Sequence, residues 1–411
     1  MMAGEDAARR GRIADNVRGT PDLECSMPTA RMEAIIRSTG TLVDFVEKWD
    51  ALRQHPDVCD FTFGNPQELA IPGFAESLTR HAPPQDKNSY AYKRSQPEAQ
   101  AIVAKRLTEW RGLPFEDADI ALTPGAFGAI AVALQALLDR EDEVIFSVPP
   151  WFFYEAMVLA AGGVPVKVPV MPIDHDLDVD AIAAAITPRT RMVIVNTPNN
   201  PTGRIYPAET LTRLASVLTE ASDRFASPIY LLSDEPYARL VFSDAVMVSP
   251  AAFYANTLMA YSYGKVLLTP GQRLGWLALA PSMPDREQMR GVIQIAQMSA
   301  GWLFPNALLQ RSIEDLEHLS IDLADLEGKR NLMGEALLSL GYSLTLPEGT
   351  FYLWVRSPEA DDRAFAMGLA DRGVLVLPGS ASEGPGYFRI SLTATREMIE
   401  RSLPVFAEAV E

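Results

Sequence analysis

Short β-rich runs recur through the middle of this chain, at 143–147, 164–170, 192–196, 229–233, 258–262 and 275–280. Ala-rich, helix-like stretches separate several of them, as at 127–138 and 209–221. This alternation predicts an α/β fold in which a mostly parallel central sheet is covered by helices. In such sheets ligands bind beyond the carboxyl ends of the strands. Asn200, Asp234 and Lys265 each fall just after a strand-like run, where that rule places a site.

The character changes after about residue 285. A helical stretch near 313–340 leads into short strands at 350–355, 374–376 and 387–391, and the end of the chain from Thr395 reads as a helix. These features predict a smaller α+β domain. The expected division is 1–60 as N-terminal extension and part of the small domain, 61–285 as the large ligand-binding domain, and 286–411 as the C-terminal small domain. Apolar spacing over 32–52 predicts a helix that belongs to the small domain or to a lid. Residues 1–20 are polar and of mixed charge and are expected to be poorly ordered. With no internal repeat or long linker in view, the two domains should pack closely.

Composition removes several classes of function. The chain has 411 residues, 48% of them hydrophobic and 22% charged, as in a globular protein. Its formal net charge of −17 argues against nucleic acid or an anionic membrane as partner. Cys25 and Cys59 are the only cysteines and form no CxxC pair, so neither a metal site nor a disulfide framework is expected. The start lacks the apolar core of a signal peptide, and no apolar run reaches membrane-spanning length. The expected location is the cytoplasm.

Six segments carry chemistry. Thr123-Pro124-Gly125-Ala126-Phe127 feeds an Ala-rich helix, and a glycine turn at a helix start offers free N–H groups to a phosphate. Pro149-Pro150-Trp151-Phe152-Phe153-Tyr154 holds rings able to stack on a flat π system. Asn196-Thr197-Pro198-Asn199-Asn200-Pro201-Thr202-Gly203 makes a rigid turn suited to holding an asparagine in place. In Ser233-Asp234-Glu235-Pro236-Tyr237 the aspartate closes a β-rich run. A lone aspartate there is more often a helix cap, but its company favours a buried acid. Ser262-Tyr263-Gly264-Lys265, with Arg273 eight residues on, is a recurrent way to hold pyridoxal phosphate (PLP). Late in the chain, Phe388-Arg389-Ile390-Ser391 sets an arginine in a β-rich run, where it could grip a carboxylate through two parallel hydrogen bonds.

Together these motifs resemble the class I and II aminotransferases, the aspartate aminotransferase-like PLP enzymes of fold type I, from about Phe63 to Arg389. The resemblance implies a transaminase that moves an amino group between an L-amino acid and a 2-oxo acid by a ping-pong mechanism. Lys265 would be the Schiff-base lysine and the proton shuttle between Cα and the cofactor C4′. Asp234 would pair with the pyridine nitrogen, while Asn200 and Tyr237 would hold the phenolic oxygen. Ser262, Arg273 and the backbone of Gly125, Ala126 and Phe127 would bind phosphate, and Trp151 would stack on the ring. Arg389 would take the substrate α-carboxylate, with Gly64, Asn200 and Trp151 lining the same pocket. The resemblance also implies a homodimer in which Tyr90, with Tyr92 as runner-up, reaches the cofactor phosphate of the other subunit.

The chain departs from the family pattern in places. Ser95 stands where glycine is usual, Phe127 where serine or threonine is frequent, and Ala381 where an aromatic ring is common. Dicarboxylate-specific relatives can carry a second arginine downstream of the lysine, but 291–310 contains no Lys or Arg. With Trp151, Phe152, Phe153 and Trp302 as candidate neighbours, an apolar or aromatic amino acid is the expected substrate. The alternative on the same fold is a carbon–sulfur β-lyase or a related Cα-deprotonating enzyme. A regulator with a retained PLP fold would need a DNA-binding segment that the stretch before Phe63 does not supply. A nucleotide-binding dehydrogenase would need a GxGxxG turn, which is absent.

Overall fold

The structure is a computed structural model that describes residues 29–55, 57–243 and 245–410. Cys25 and the segment expected to be poorly ordered lie outside the described residues. Seven strands form the central sheet: β1 (Ile120–Thr123), β2 (Glu143–Val148), β3 (Val164–Pro169), β4 (Thr190–Asn196), β5 (Tyr230–Asp234), β6 (Thr257–Ser262) and β7 (Gly275–Leu279). Their spatial order is β1-β7-β6-β5-β4-β2-β3. Only β7 runs against its neighbours, so the sheet is mostly parallel as expected. The sequence pattern missed β1, whose four residues are too few for a periodicity to register.

The strands read as continuous apolar runs because both faces of the sheet are covered. Phe146, Ile194 and Leu232 face one side with Ala129, Ile130 and Ala133. Their chain neighbours Ile145, Val193 and Leu231 face the other side with Leu211, Leu214 and Leu218. Each of the larger of these side chains contributes about 1.5–3 kcal/mol on burial. Four helices matter for the site: α1 (Ala30–Leu52), α2 (Gly125–Leu137), α3 (Tyr154–Ala161) and α4 (Arg286–Ser299). Although α4 follows the boundary expected at 285, its Ile293 and Ala296 pack into the core beneath α2.

A second, antiparallel sheet holds β8 (Ser343–Leu344), β9 (Tyr352–Arg356), β10 (Leu377–Pro378) and β11 (Tyr387–Ser391) in the order β10-β11-β9-β8. The helix expected over 313–340 is two helices, Ile313–His318 and Leu323–Ser339. Asp322 starts the second by accepting from the N–H groups of Ala324 and Asp325. Early residues return to this part of the fold, where Cys59–Asp60 pairs in parallel with Val374–Leu375. Helix α1, begun by Thr29 capping the Met32 N–H at 3.1 Å, contacts α3 on one side. On the other side its Leu42 packs on Leu377 and Ala381. Among the described residues no helix is long and apolar enough to cross a membrane.

Candidate active site

Parallel strands deliver three polar side chains side by side. Asn196 ends β4, Asp234 ends β5 and Ser262 ends β6, all buried. The Asn196 amide donates to the Asp234 carbonyl at 2.9 Å, and its Oδ1 accepts from the Asn200 N–H at 2.7 Å. One side chain thereby ties the turn after β4 to the end of β5. Asn199 tightens the same turn by accepting from the Thr202 N–H at 3.1 Å.

Asp234 is 3% exposed. Its Oδ2 accepts from the Tyr154 hydroxyl and, at 3.4 Å, from Asn196 Nδ2. Its Oδ1 is buried without a partner. Burial pushes this carboxyl from an ordinary 3.8 up to about 7, against the pull of the Tyr154 hydrogen bond and the Lys265 charge. A half-satisfied buried carboxyl is unfavourable unless a donor meets it. The site is built to receive one.

Lys265 lies in a single helical turn after β6, its Nζ 5.5 Å from the ring centre of Tyr237 and 5.8 Å from that of Phe351. Among the described residues no carboxylate is within ion-pair distance of it. Above the start of α2 three segments converge. A Cβ at Gly125 would stand 2.6 Å from Arg273 Nη2 and 3.2 Å from Ser262 Oγ, and the residue's φ of 82° favours glycine as well. No side chain caps α2, so its first N–H groups face this cradle unpartnered by a cap.

Arg389 is 1% exposed and lies on β11, an interior strand of its sheet. Its Nη1 donates to Asn200 Oδ1 at 2.8 Å and its Nη2 to the Thr62 carbonyl at 2.9 Å, while Nε has no partner. The guanidinium carbon sits 4.0 Å from the Tyr352 ring centre. Among the described residues no acid pairs with it. A buried cation held only by neutral groups costs several kcal/mol, a penalty that an incoming carboxylate would offset. Tyr237 packs edge-on to Tyr352, with ring centres 5.9 Å apart. Burial raises the Tyr237 phenol; at Tyr352 burial also pushes upward, but the Arg389 and Lys265 charges and neighbouring polar groups together lower it. Gly64 lets the chain approach here, since a Cβ would stand 2.7 Å from the Tyr352 hydroxyl.

The structure collects nearly all the expected residues around one cavity of about 430 Å³. Gly64, Ala126, Phe127, Trp151 and Asn200 line it together with Asp234, Tyr237, Ser262, Lys265, Arg273 and Arg389. The Phe127 ring is 39% exposed and stands edge-on to Trp151 at 5.2 Å. Tyr90 is not brought to the cavity of its own chain. It is 61% exposed, donates its hydroxyl to the Ala82 carbonyl, and lies under the Arg311 guanidinium. Trp302, expected beside the substrate, is also outside the lining. Ser95 has a local task, accepting from the Leu122 N–H at 2.9 Å.

Sequence reasoning gave no role to Asn196, Tyr154 or Tyr352. The first two lie inside quoted motifs, so the signal was there for both. Tyr352, like Leu42, Val46 and Trp49 of α1, reaches the cavity from a segment with no polar motif of its own.

The family described as aminotransferase class I and II matches residues 56–405. The chain is 30% identical over 392 residues to the aspartate/prephenate aminotransferase of Thermus thermophilus, covering 93% of this chain and 98% of that one. A probable aspartate/prephenate aminotransferase of Thermus aquaticus is 31% identical over 368 residues, covering 87% and 93%. Among solved structures, an amino transferase of Eubacterium rectale superposes with a TM-score of 0.83 at 28% identity, covering 100% of this chain and 98% of that one. The aspartate aminotransferase of Thermus thermophilus with maleate gives 0.78 at 27% identity, covering 93% and 99%. The fold is therefore that of the PLP-dependent enzymes of fold type I, and the chain is an enzyme that belongs to the class I and II aminotransferases.

Proposed function

We propose that the protein is a cytoplasmic, homodimeric PLP-dependent aminotransferase exchanging an amino group between an L-amino acid and a 2-oxo acid by a ping-pong cycle, with Lys265 as the cofactor-bearing residue. One observation carries the reading. Among the described residues, a buried acid with a free oxygen, a lysine without an ion-pair partner and a buried arginine without an acid face one cavity.

The cavity suits PLP group by group. Asp234 Oδ1 awaits a donor and would hold a proton on the ring nitrogen. Asn200 spends its oxygen on Arg389, which leaves its amide N–H groups to share the phenolic oxygen with Tyr237. Ser262, Arg273 and the N–H groups from Gly125 to Phe127 would hold the phosphate, and Trp151 would cover the ring. When bound, PLP supplies an aldehyde that carries the amino group and a ring that draws electrons from the substrate Cα.

The chain does the rest. Arg389 binds the substrate α-carboxylate and so fixes which Cα bond faces Lys265. Lys265 Nζ then takes the Cα proton and would deliver it to the cofactor C4′. Tyr237, beside Lys265, packs edge-on to Tyr352, which lies against Arg389, and so links the two subsites. Tyr90, exposed and away from its own cradle, would reach the phosphate site of a second copy.

The test is borohydride reduction of the PLP-reconstituted protein, followed by peptide mass mapping. A pyridoxyl group on the peptide containing Lys265 is the expected result. Label on another lysine, or none, contradicts the assignment.

A further inference from the structure

With the α-carboxylate placed at Arg389, the substrate side chain still has to be accommodated in the same cavity. Resting on that placement, we propose that the cavity accepts a bulky apolar side chain, aromatic or branched aliphatic, in preference to a second carboxylate.

The wall next to Arg389 is built of rings. Phe152 lies 5.9 Å from the guanidinium carbon, 4.7 Å from Phe153 and 6.5 Å from Phe63, each ring edge-on to its neighbour. Helix α1 completes the wall with Leu42, Val46 and Trp49. Trp49 packs edge-on to Phe63 at 4.8 Å, and its indole N–H is held by Asp60 at 3.1 Å, so the ring cannot swing aside freely. Leu42 packs on buried Ala381, in space that a larger residue at 381 would fill.

Charge points the same way. Lys265, Arg273 and Arg389 are the cations among the residues lining the cavity, and the proposed chemistry uses all three. Behind the wall, Lys167 is held between Glu155 at 2.8 Å and Glu383 at 2.7 Å, which leaves it no charge to offer a ligand. Trp49 has Asp60 at its indole N–H and, 4.5 Å from its ring, the Arg53 guanidinium, which is paired with Asp50 at 2.8 Å and does not line the cavity. Phe127, at the start of α2, adds another ring rather than a donor. A second carboxylate would be desolvated here without a partner, whereas a phenyl or isobutyl group would leave water for apolar contacts.

The holoenzyme should be titrated with 3-phenylpropionate and, separately, with succinate, by calorimetry at fixed pH and salt. Both carry a carboxylate for Arg389, and neither has an amine, so binding is read without turnover. We expect 3-phenylpropionate to bind at least about tenfold more tightly. Equal or tighter binding of succinate overturns the proposal. Phe152→Ala should weaken 3-phenylpropionate about tenfold and Phe152→Leu should restore most of the loss. An unchanged affinity in Phe152→Ala overturns the role of this wall. In turnover, kcat/KM for phenylalanine or leucine should exceed that for aspartate by a similar factor, and the reverse order overturns the proposal. Failure of every amino acid as donor would refute the proposed function, while the two titrations would still decide the nature of the wall.

Discussion

The floor and the wall of the cavity are assembled differently. The floor comes from adjacent strand ends in one mostly parallel sheet, with Asn196 in register with Asp234 and Ser262 with Gly275 of β7. The wall is gathered from far apart: Arg389 on β11, Tyr352 on β9, Phe152 after β2 and three side chains of α1. Register holds a floor residue wherever its neighbours go. A wall residue is held only while separately folded pieces stay packed. The floor should therefore be sensitive to the chemical identity of its groups, and the wall to their size and packing.

Lys265→Ala tests the floor most severely. We expect turnover to fall at least about a thousandfold, with an unchanged far-ultraviolet circular dichroism spectrum. Substantial transamination in that variant would refute the assignment. Asp234→Asn should lower kcat by about a hundredfold or more, since it removes a preorganised charge while keeping the shape. The same variant has a second readout in the cofactor-free protein. Burial raises the Asp234 carboxyl from 3.8 to about 7, so folding favours its protonated form. Its stabilising contribution is complete below its unfolded value and is lost as pH rises through 7. Thermal melting of the cofactor-free proteins should thus show Asp234→Asn ahead of the parent at pH 8 but not at pH 4. The opposite order would mean that the carboxyl is not destabilised by burial.

On the wall, Arg389→Ala should reduce kcat/KM by about a hundredfold while cofactor is retained. Loss of cofactor instead would show that Arg389 acts mainly through Asn200. Tyr352→Phe removes one hydroxyl and leaves its ring over Arg389, so we expect only about a fivefold drop in kcat/KM. A fall as large as that of Arg389→Ala would move Tyr352 from the wall to the reacting groups.

The same contrast explains which residues were legible in the chain. Floor residues sit in short motifs whose prolines, glycines and strand ends fix them locally, so Asn200, Asp234, Ser262 and Lys265 could all be found. Arg273 was found by its distance from Lys265. On the wall, Arg389 was found through its motif, but Tyr352, Leu42, Val46 and Trp49 are ordinary core-forming residues until the fold brings them to the cavity. Trp302 was drawn in by residue type alone, and the structure places it elsewhere. Helix breaks failed for a related reason. The cap at Asp322 interrupts an apolar pattern that would otherwise run on.

The most direct test mixes the PLP-reconstituted protein with a competent amino acid and no acceptor, and counts the 2-oxo acid released. A ping-pong aminotransferase should release one equivalent per bound cofactor and then stop until a second 2-oxo acid is added. Continuous release of ammonia with pyruvate would contradict the account and favour a β-lyase.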